Sequence, residues 1–217
     1  MITIVGTCHV FNLKDKVKSL IRNAKPDAVC VELDEKRLKR LRSKSIPFGI
    51  FPLIQKIMAI RYGTEPGNDM LGAVEGAEQE GIPFFLIDKD IDSLIESIRA
   101  ALLMEFLNPF ELIRKLFAVK EFWLPPSFSL YENDILEAFV NDFAKEPDKY
   151  RLHFEKCFPF IKSILLDERE KHMALEIKNI SGLYEEVLVV VGAGHVSGLK
   201  SLLSDYKVQT VMLISSK

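Results

Sequence analysis

The stretch Val187-Leu188-Val189-Val190-Val191-Gly192-Ala193-Gly194-His195, followed at once by Val196, Leu199, Leu202 and Leu203 at helical spacing, constrains the fold more than any other part of the chain. Consecutive apolar, mostly β-branched residues without polar alternation read as a strand buried on both faces, as in parallel sheets covered by helices. The glycines then break the strand and a helix begins. The chain opens on the same device: Met1-Ile2-Thr3-Ile4-Val5 runs into Gly6-Thr7-Cys8-His9, so Gly-x-x-His twice stands at the exit of an apolar strand. As parallel neighbours in one sheet, these strands would carry both imidazoles to the edge where open α/β sheets hold their ligands.

Residues 28–33, 84–87 and 208–214 read as further strands. Between them, Leu13, Val17, Leu20, Ile21 and Ala24 mark a one-faced helix behind an Asn12 cap. Asp34 caps a helix whose Lys36, Arg37, Lys39, Arg40, Arg42 and Lys44 read as a solvated face, with an anion site as the alternative, and residues 45–62 read as a loop followed by a short buried helix. Met70, Ala73, Val74 and Ala77, with Gly72 and Gly76, form a small-residue helix that ends at Gly81. Residues 91–159 are helical in pattern, with one helix started by Asn108-Pro109, a loop at 123–126 and another helix marked by Leu136, Phe139, Val140 and Phe143. They carry more large apolar residues, Phe106, Phe110, Phe117, Phe122 and Trp123 among them, than a strand-to-strand crossover needs. They read as a helical insertion between the third and fourth core strands that caps the sheet edge or forms a homodimer surface, with packing within the core as the alternative use of the same residues. A long helix over 160–179 returns the chain. The expectation is an α/β protein, a mostly parallel central sheet flanked by helices, in one domain over residues 1–217.

Composition excludes several partners. A net charge of −2 speaks against nucleic acid or an anionic membrane surface. The apolar region 98–124 is broken by Arg99, Glu105, Glu111, Arg114 and Lys120, so no membrane span is expected, and no signal-peptide pattern opens the chain. Three cysteines, Cys8, Cys30 and Cys157, cannot all pair and form no Cys-x-x-Cys. They point to a reducing, cytoplasmic setting without a thiolate zinc site.

Chemistry collects at the strand exits: His9, Glu32, Asp88, Asp90 and His195. A carboxylate such as Glu32 at the tail of a buried strand is costly unless it is paired or ligating. Two imidazoles and one carboxylate are the ligand set of many catalytic metal sites that leave a position open for water, which makes His9, Glu32 and His195 candidate ligands of a divalent cation. Gly6, Gly192 and Gly194 allow the sharp turns and the close approach of a bound molecule, and a helix start after His195 offers N–H groups to an anion. Arg169 and His172 lie in a charge-rich helix where solvation or pairing along the helix is the default, and His153 has no assigned role.

The segments GTCHV, PDAVCVELD, GNDM with its Ala/Gly-rich helix, FLIDKDI, DEREKHMA and VVVGAGHVSG follow in this order over most of the chain. Together they resemble the TraB/PrgY (pheromone shutdown) family, whose wider group takes in Tiki proteases, GumN-like proteins, erythromycin esterases and haem-binding ChaN proteins. The resemblance implies a hydrolase-like α/β core with paired Gly-x-x-His motifs and a glutamate as its active site. It places His9, Glu32, Arg169 and His195 on family motif positions. Cys8 stands for the commoner alanine, Lys89 for the arginine of an Asp-Arg-Asp turn and Asp69 for glutamate, and the multi-span tail of many TraB proteins is not seen here. The expected function is metal-assisted hydrolysis of a peptide or small molecule. Manganese, cobalt or zinc would polarise a carbonyl and lower the pKa of water, Glu168 or Asp88 would act as general base, and Arg169 would stabilise the oxyanion. The alternatives are a metal-free, esterase-like hydrolase with a histidine base, and a non-catalytic regulatory protein that holds haem or an anion.

Overall fold

A computed structural model describes residues 1–7, 13–43, 67–107 and 146–213. The readings on Cys8, His9, Asn12, the 45–62 segment and residues 108–145 lie outside the described residues. Five strands, β1 (Ile2–Thr7), β2 (Ala28–Val31), β3 (Phe84–Leu86), β4 (Val187–Gly192) and β5 (Val208–Leu213), form one sheet in the order β3-β2-β4-β1-β5. Each neighbouring pair is parallel. The α/β expectation therefore holds, and so does the adjacency on which the two Gly-x-x-His exits depend: β1 lies beside β4, with Thr7 opposite Gly192.

The uninterrupted apolar run of β4 is explained by burial on both faces. Successive side chains alternate across a strand. Val187, Val189 and Val191 join Ile2, Ile4 and Cys30 beneath Met173, Ile177, Val196 and Leu199. Leu188 and Val190 point the other way, with Val5, Val29 and Val31, under Leu13, Val17, Ile21, Met70 and Val74. Burying each such side chain stabilises the fold by roughly 1.5–3 kcal/mol.

Helices α1 (Lys14–Ala24), α2 (Glu35–Arg42) and α3 (Asn68–Glu80) supply the second of these faces, and α7 (Glu168–Ser181) and α8 (Val196–Leu202) the first. The connection leaving β1 thus passes over one face through α1, while the one leaving the adjacent β4 passes over the other through α8. Where neighbouring connections part in this way, the sheet edge opens into a crevice. Asp34 caps α2 as expected, accepting the backbone N–H of Lys36 at 2.8 Å and of Arg37 at 3.0 Å. Gly81 ends α3 in the left-handed conformation, φ 68°.

Residues Asp92–Glu168 form a second compact unit. Its described parts are helical: most of α4 (Ile91–Leu107), α5 (Pro147–Cys157), α6 (Pro159–Lys162) and a π-helical turn at Ser163–Asp167. Buried Glu105 accepts the N–H groups of Phe160 at 2.7 Å and Ile161 at 3.3 Å, at the start of α6. The helix expected as one piece over 160–179 is therefore interrupted by a wider turn, which apolar periodicity does not reveal because it adds a residue without breaking the helix. Among the described residues, no helix is long and apolar enough to cross a membrane.

Gly72 lets α3 press on α1: a Cβ there would lie 2.9 Å from the Lys14 carbonyl oxygen and 3.0 Å from its Cα. Gly72→Ala is expected to lose about 1–3 kcal/mol to overpacking, which outweighs the roughly 1 kcal/mol that alanine gains in a helix. Gly194→Ala, with nothing among the described residues within 4 Å of the added carbon, should leave the melting temperature unchanged. Thermal denaturation of both variants checks the pair, and an undiminished Gly72→Ala would contradict the contact.

Candidate functional site

The site forms where β2, β3 and β4 end. Glu32 follows β2 directly and is held in place by its backbone, whose N–H reaches the Val190 carbonyl at 3.0 Å. Asp88 follows β3, with its N–H on the Leu33 carbonyl at 3.1 Å. His195 ends the tight turn Ala193–His195 that β4 enters through Gly192. The fourth element is α7, which brings Arg169 and Glu170 inward on consecutive positions. All five side chains are buried: Glu32, Asp88, Arg169, Glu170 and His195 are each at most 9% exposed.

Arg169 organises the carboxylates. Its Nε donates to Asp88 Oδ1 at 3.0 Å, and its Nη2 donates to Glu32 Oε1 and Asp88 Oδ2. Glu32 Oε2 accepts the Gly192 N–H at 2.7 Å, so the N–H of the strand exit serves the protein's own carboxylate. Arg37 bridges Asp34 and Asp88, and Asp88 also accepts the Lys89 N–H at 2.8 Å. His195 stands between two carboxylates, Nδ1 3.1 Å from Glu170 Oε1 and Nε2 3.4 Å from Glu32 Oε1. At the end of β1, buried Thr7 donates its hydroxyl to Asp69, the residue singled out in GNDM.

These contacts shift the titrations. Burial alone would lower the His195 pKa, but the charge of Glu32 and the hydrogen bonds to Glu170 and Glu32 raise it above its usual 6.5. Burial disfavours the Asp88 carboxylate, yet hydrogen bonding and charge from Arg169, with Arg37 beside it, hold its pKa below 3.8. Burial likewise opposes the Arg169 charge, and Glu32 and Asp88 more than restore it. Cys30, in the middle of β2, is pushed up to about 12 by burial and Glu176, which leaves it an inert thiol.

Of the residues expected at the site, Glu32, Asp88, Arg169 and His195 are brought together. Glu168 is exposed, and Asp90 is an exposed partner of Lys36 at 2.8 Å. Gly192 lies within the cluster through its N–H, a Cβ on Gly194 would meet none of the described residues within 4 Å, and a Cβ on Gly6 would lie 2.6 Å from Met212 Sδ and 2.7 Å from Val196 Cγ2. Gly6 thus serves close packing in the described contacts. Arg37 belongs to the charge network rather than to a solvated helix face, because the start of α2 lies beside the exit of β3. Sequence reasoning passed over Glu170, although a glycine inside the following helix, Gly198, was a signal: a helical glycine is costly unless something needs the room. Among the described residues, no group of three His, Cys, Asp or Glu side chains could hold a metal ion. Glu32 and His195 are already engaged by Arg169, the Gly192 N–H and Glu170, and a cation between them would face the guanidinium.

An all-parallel open sheet with a buried charge network across its strand exits defines the class: an α/β protein whose candidate site sits at the carboxyl edge of the sheet. Within that class, residues 126–210 match a model of the TraB/PrgY/gumN family, a stretch that includes Arg169, Glu170 and His195. The chain is also 29% identical, over its whole length, to the uncharacterized protein MJ1365 of Methanocaldococcus jannaschii. It spans 57% of that relative's length. The resemblance read from the motifs thus meets a match to the same family's model, over residues 126–210.

Arg169→Met should destabilise the protein by about 3–5 kcal/mol, since it leaves two buried carboxylates without their shared cation. Adding Glu32→Gln should recover part of the loss in denaturant unfolding. The raised His195 pKa contributes stability that is complete below about pH 6.5 and disappears as pH rises through the folded value. The difference in melting temperature between the parent and His195→Gln should therefore narrow as the pH is raised, and a constant difference would contradict the ion pairing.

Proposed function

We propose that the chain is a hydrolase of a peptide or small-molecule substrate, working in the cytoplasm, with His195 as its proton-carrying group. The observation that supports this most is the position of His195, buried against Glu32 at the edge where the connections of β1 and β4 part. Five ionisable groups buried together are weak evidence of stability, since apolar packing of a helix against strand exits does as well or better. Their clustering at a sheet edge is what a reaction needs.

In this reading, neutral His195 takes a proton from water as the water oxygen bonds to the substrate carbonyl, and returns it to the departing amine or alkoxide. Glu32, fixed by Arg169 and the Gly192 N–H, orients that exchange and balances the imidazolium. Arg169, with Nε and Nη2 on carboxylates, holds the site rather than meeting an oxyanion, and Asp88, tied to two guanidinium groups, is a counter-ion rather than a base. Glu168 is exposed and takes no part. His9 follows β1 by two residues and would add the second imidazole.

A metal-assisted version, with His9, Glu32 and His195 as ligands of manganese, cobalt or zinc, is the second reading. It is favoured by the 3.4 Å approach of His195 Nε2 to Glu32 and requires Arg169 to release that carboxylate. A third arm, a Soret band on adding haem with no hydrolysis, would support a binding protein instead.

A peptide and ester library screened with the parent and His195→Gln tests the proposal. The parent should turn over at least one substrate, with kcat/KM rising as pH passes upward through the elevated His195 value, and His195→Gln should lose roughly 10²–10⁴-fold. Activity abolished by exhaustive chelation and restored by a divalent cation would select the metal version. Equal rates in His195→Gln would end both readings.

A further inference from the structure

Glu170 occupies the position after Arg169 on α7, and its carboxylate meets Nδ1 of His195 at 3.1 Å. It is 2% exposed. The room for it is made by Gly198 on α8: a Cβ at that position would collide with the carboxyl group, 2.8 Å from Oε1 and closer still to Oε2. Glycine inside a helix costs about 1 kcal/mol relative to alanine, so the notch is a sacrifice of helix stability made where the carboxylate sits.

We propose that Glu170 is a positioning residue for His195: seated in the notch left by Gly198, it accepts the Nδ1–H and turns Nε2 toward Glu32 and the strand exits. This rests on the hydrolase reading above. A neutral imidazole carries one N–H, and of the two carboxylates that face the ring Glu170 is the nearer, 3.1 Å from Nδ1 against 3.4 Å between Nε2 and Glu32, so the hydrogen goes to Nδ1 and Nε2 is left as the acceptor. Without Glu170, both tautomers and more than one ring orientation become accessible, and the acceptor nitrogen faces the reaction only part of the time. The contact also stabilises the imidazolium formed when Nε2 takes a proton. The carboxylate acts through the ring and touches no substrate.

The test is nitrogen-15 NMR of the His195 ring in the full chain, above the pH at which the ring titrates, alongside steady-state kinetics. The parent should show protonated Nδ1 and unprotonated Nε2. Glu170→Gln should give a mixture of tautomers and a roughly 10²–10⁴-fold lower kcat with KM little changed. Gly198→Ala should reproduce both effects by displacing the carboxylate. Glu170→Asp combined with Gly198→Ala, which shortens the side chain as the notch is filled, should restore the ring signature in part. A parent ring protonated on Nε2, or a Glu170→Gln protein with the parental tautomer and kcat, overturns the assignment even if hydrolysis is found. The expected ring signature in a parent that hydrolyses nothing supports the setting of the ring by Glu170 and removes the reaction that it was said to serve.

Discussion

The guanidinium of Arg169 is the charge on which the rest of this site depends. Glu32 and Asp88 leave adjacent parallel strands, and without a cation between them two carboxylates would be buried side by side. Desolvation and mutual repulsion would then favour protonation or local opening. Arg169 answers both by reaching from α7 with Nε on one carboxylate and Nη2 on both. Because a guanidinium stays charged and presents its donors in a rigid fork, it fixes direction as well as charge, which a lysine could not do. Arg37 performs a smaller version of the same task by tying Asp34, the cap of α2, to Asp88.

Once the carboxylates are fixed, the imidazole follows. His195 enters a space with Glu32 on one nitrogen and Glu170 on the other, and its orientation is set by groups that belong to the sheet edge and to α7. Close backbone approach makes this possible. Gly6 brings β1 against Val196 and Met212, and Gly198 admits Glu170. Two glycines at ordinary-looking positions thus govern how near the helices come to the strand exits. The second compact unit has its own buried carboxylate, Glu105, whose task is the satisfaction of helix N–H groups at Phe160 and Ile161.

Much of the fold was legible because its signals are local. The apolar run of β4, the Asp34 cap, the small-residue face of α3 and its Gly81 stop each depend on neighbours a few residues away. The site was legible in part. A buried Glu32 announced that it needed a partner, and the repeated Gly-x-x-His announced a shared edge. The segment Asp167-Glu168-Arg169-Glu170 offered three carboxylates and one cation with nothing to say which would turn inward. That phase depends on where the helix begins, and the π-helical turn ending at Asp167 upsets any count made from the apolar pattern.

By itself, then, the sequence determined a parallel α/β sheet, the exits at which its ionisable residues collect and the requirement that a buried carboxylate be neutralised. The tertiary structure alone decided by whom: Arg169, 137 residues away, for Glu32, and Glu170, not Glu168, for His195. Alternation and helical periodicity are written into neighbouring residues. Ion pairing between distant segments depends on how close two backbones come and on which way a helix is turned, and no short pattern carries that information.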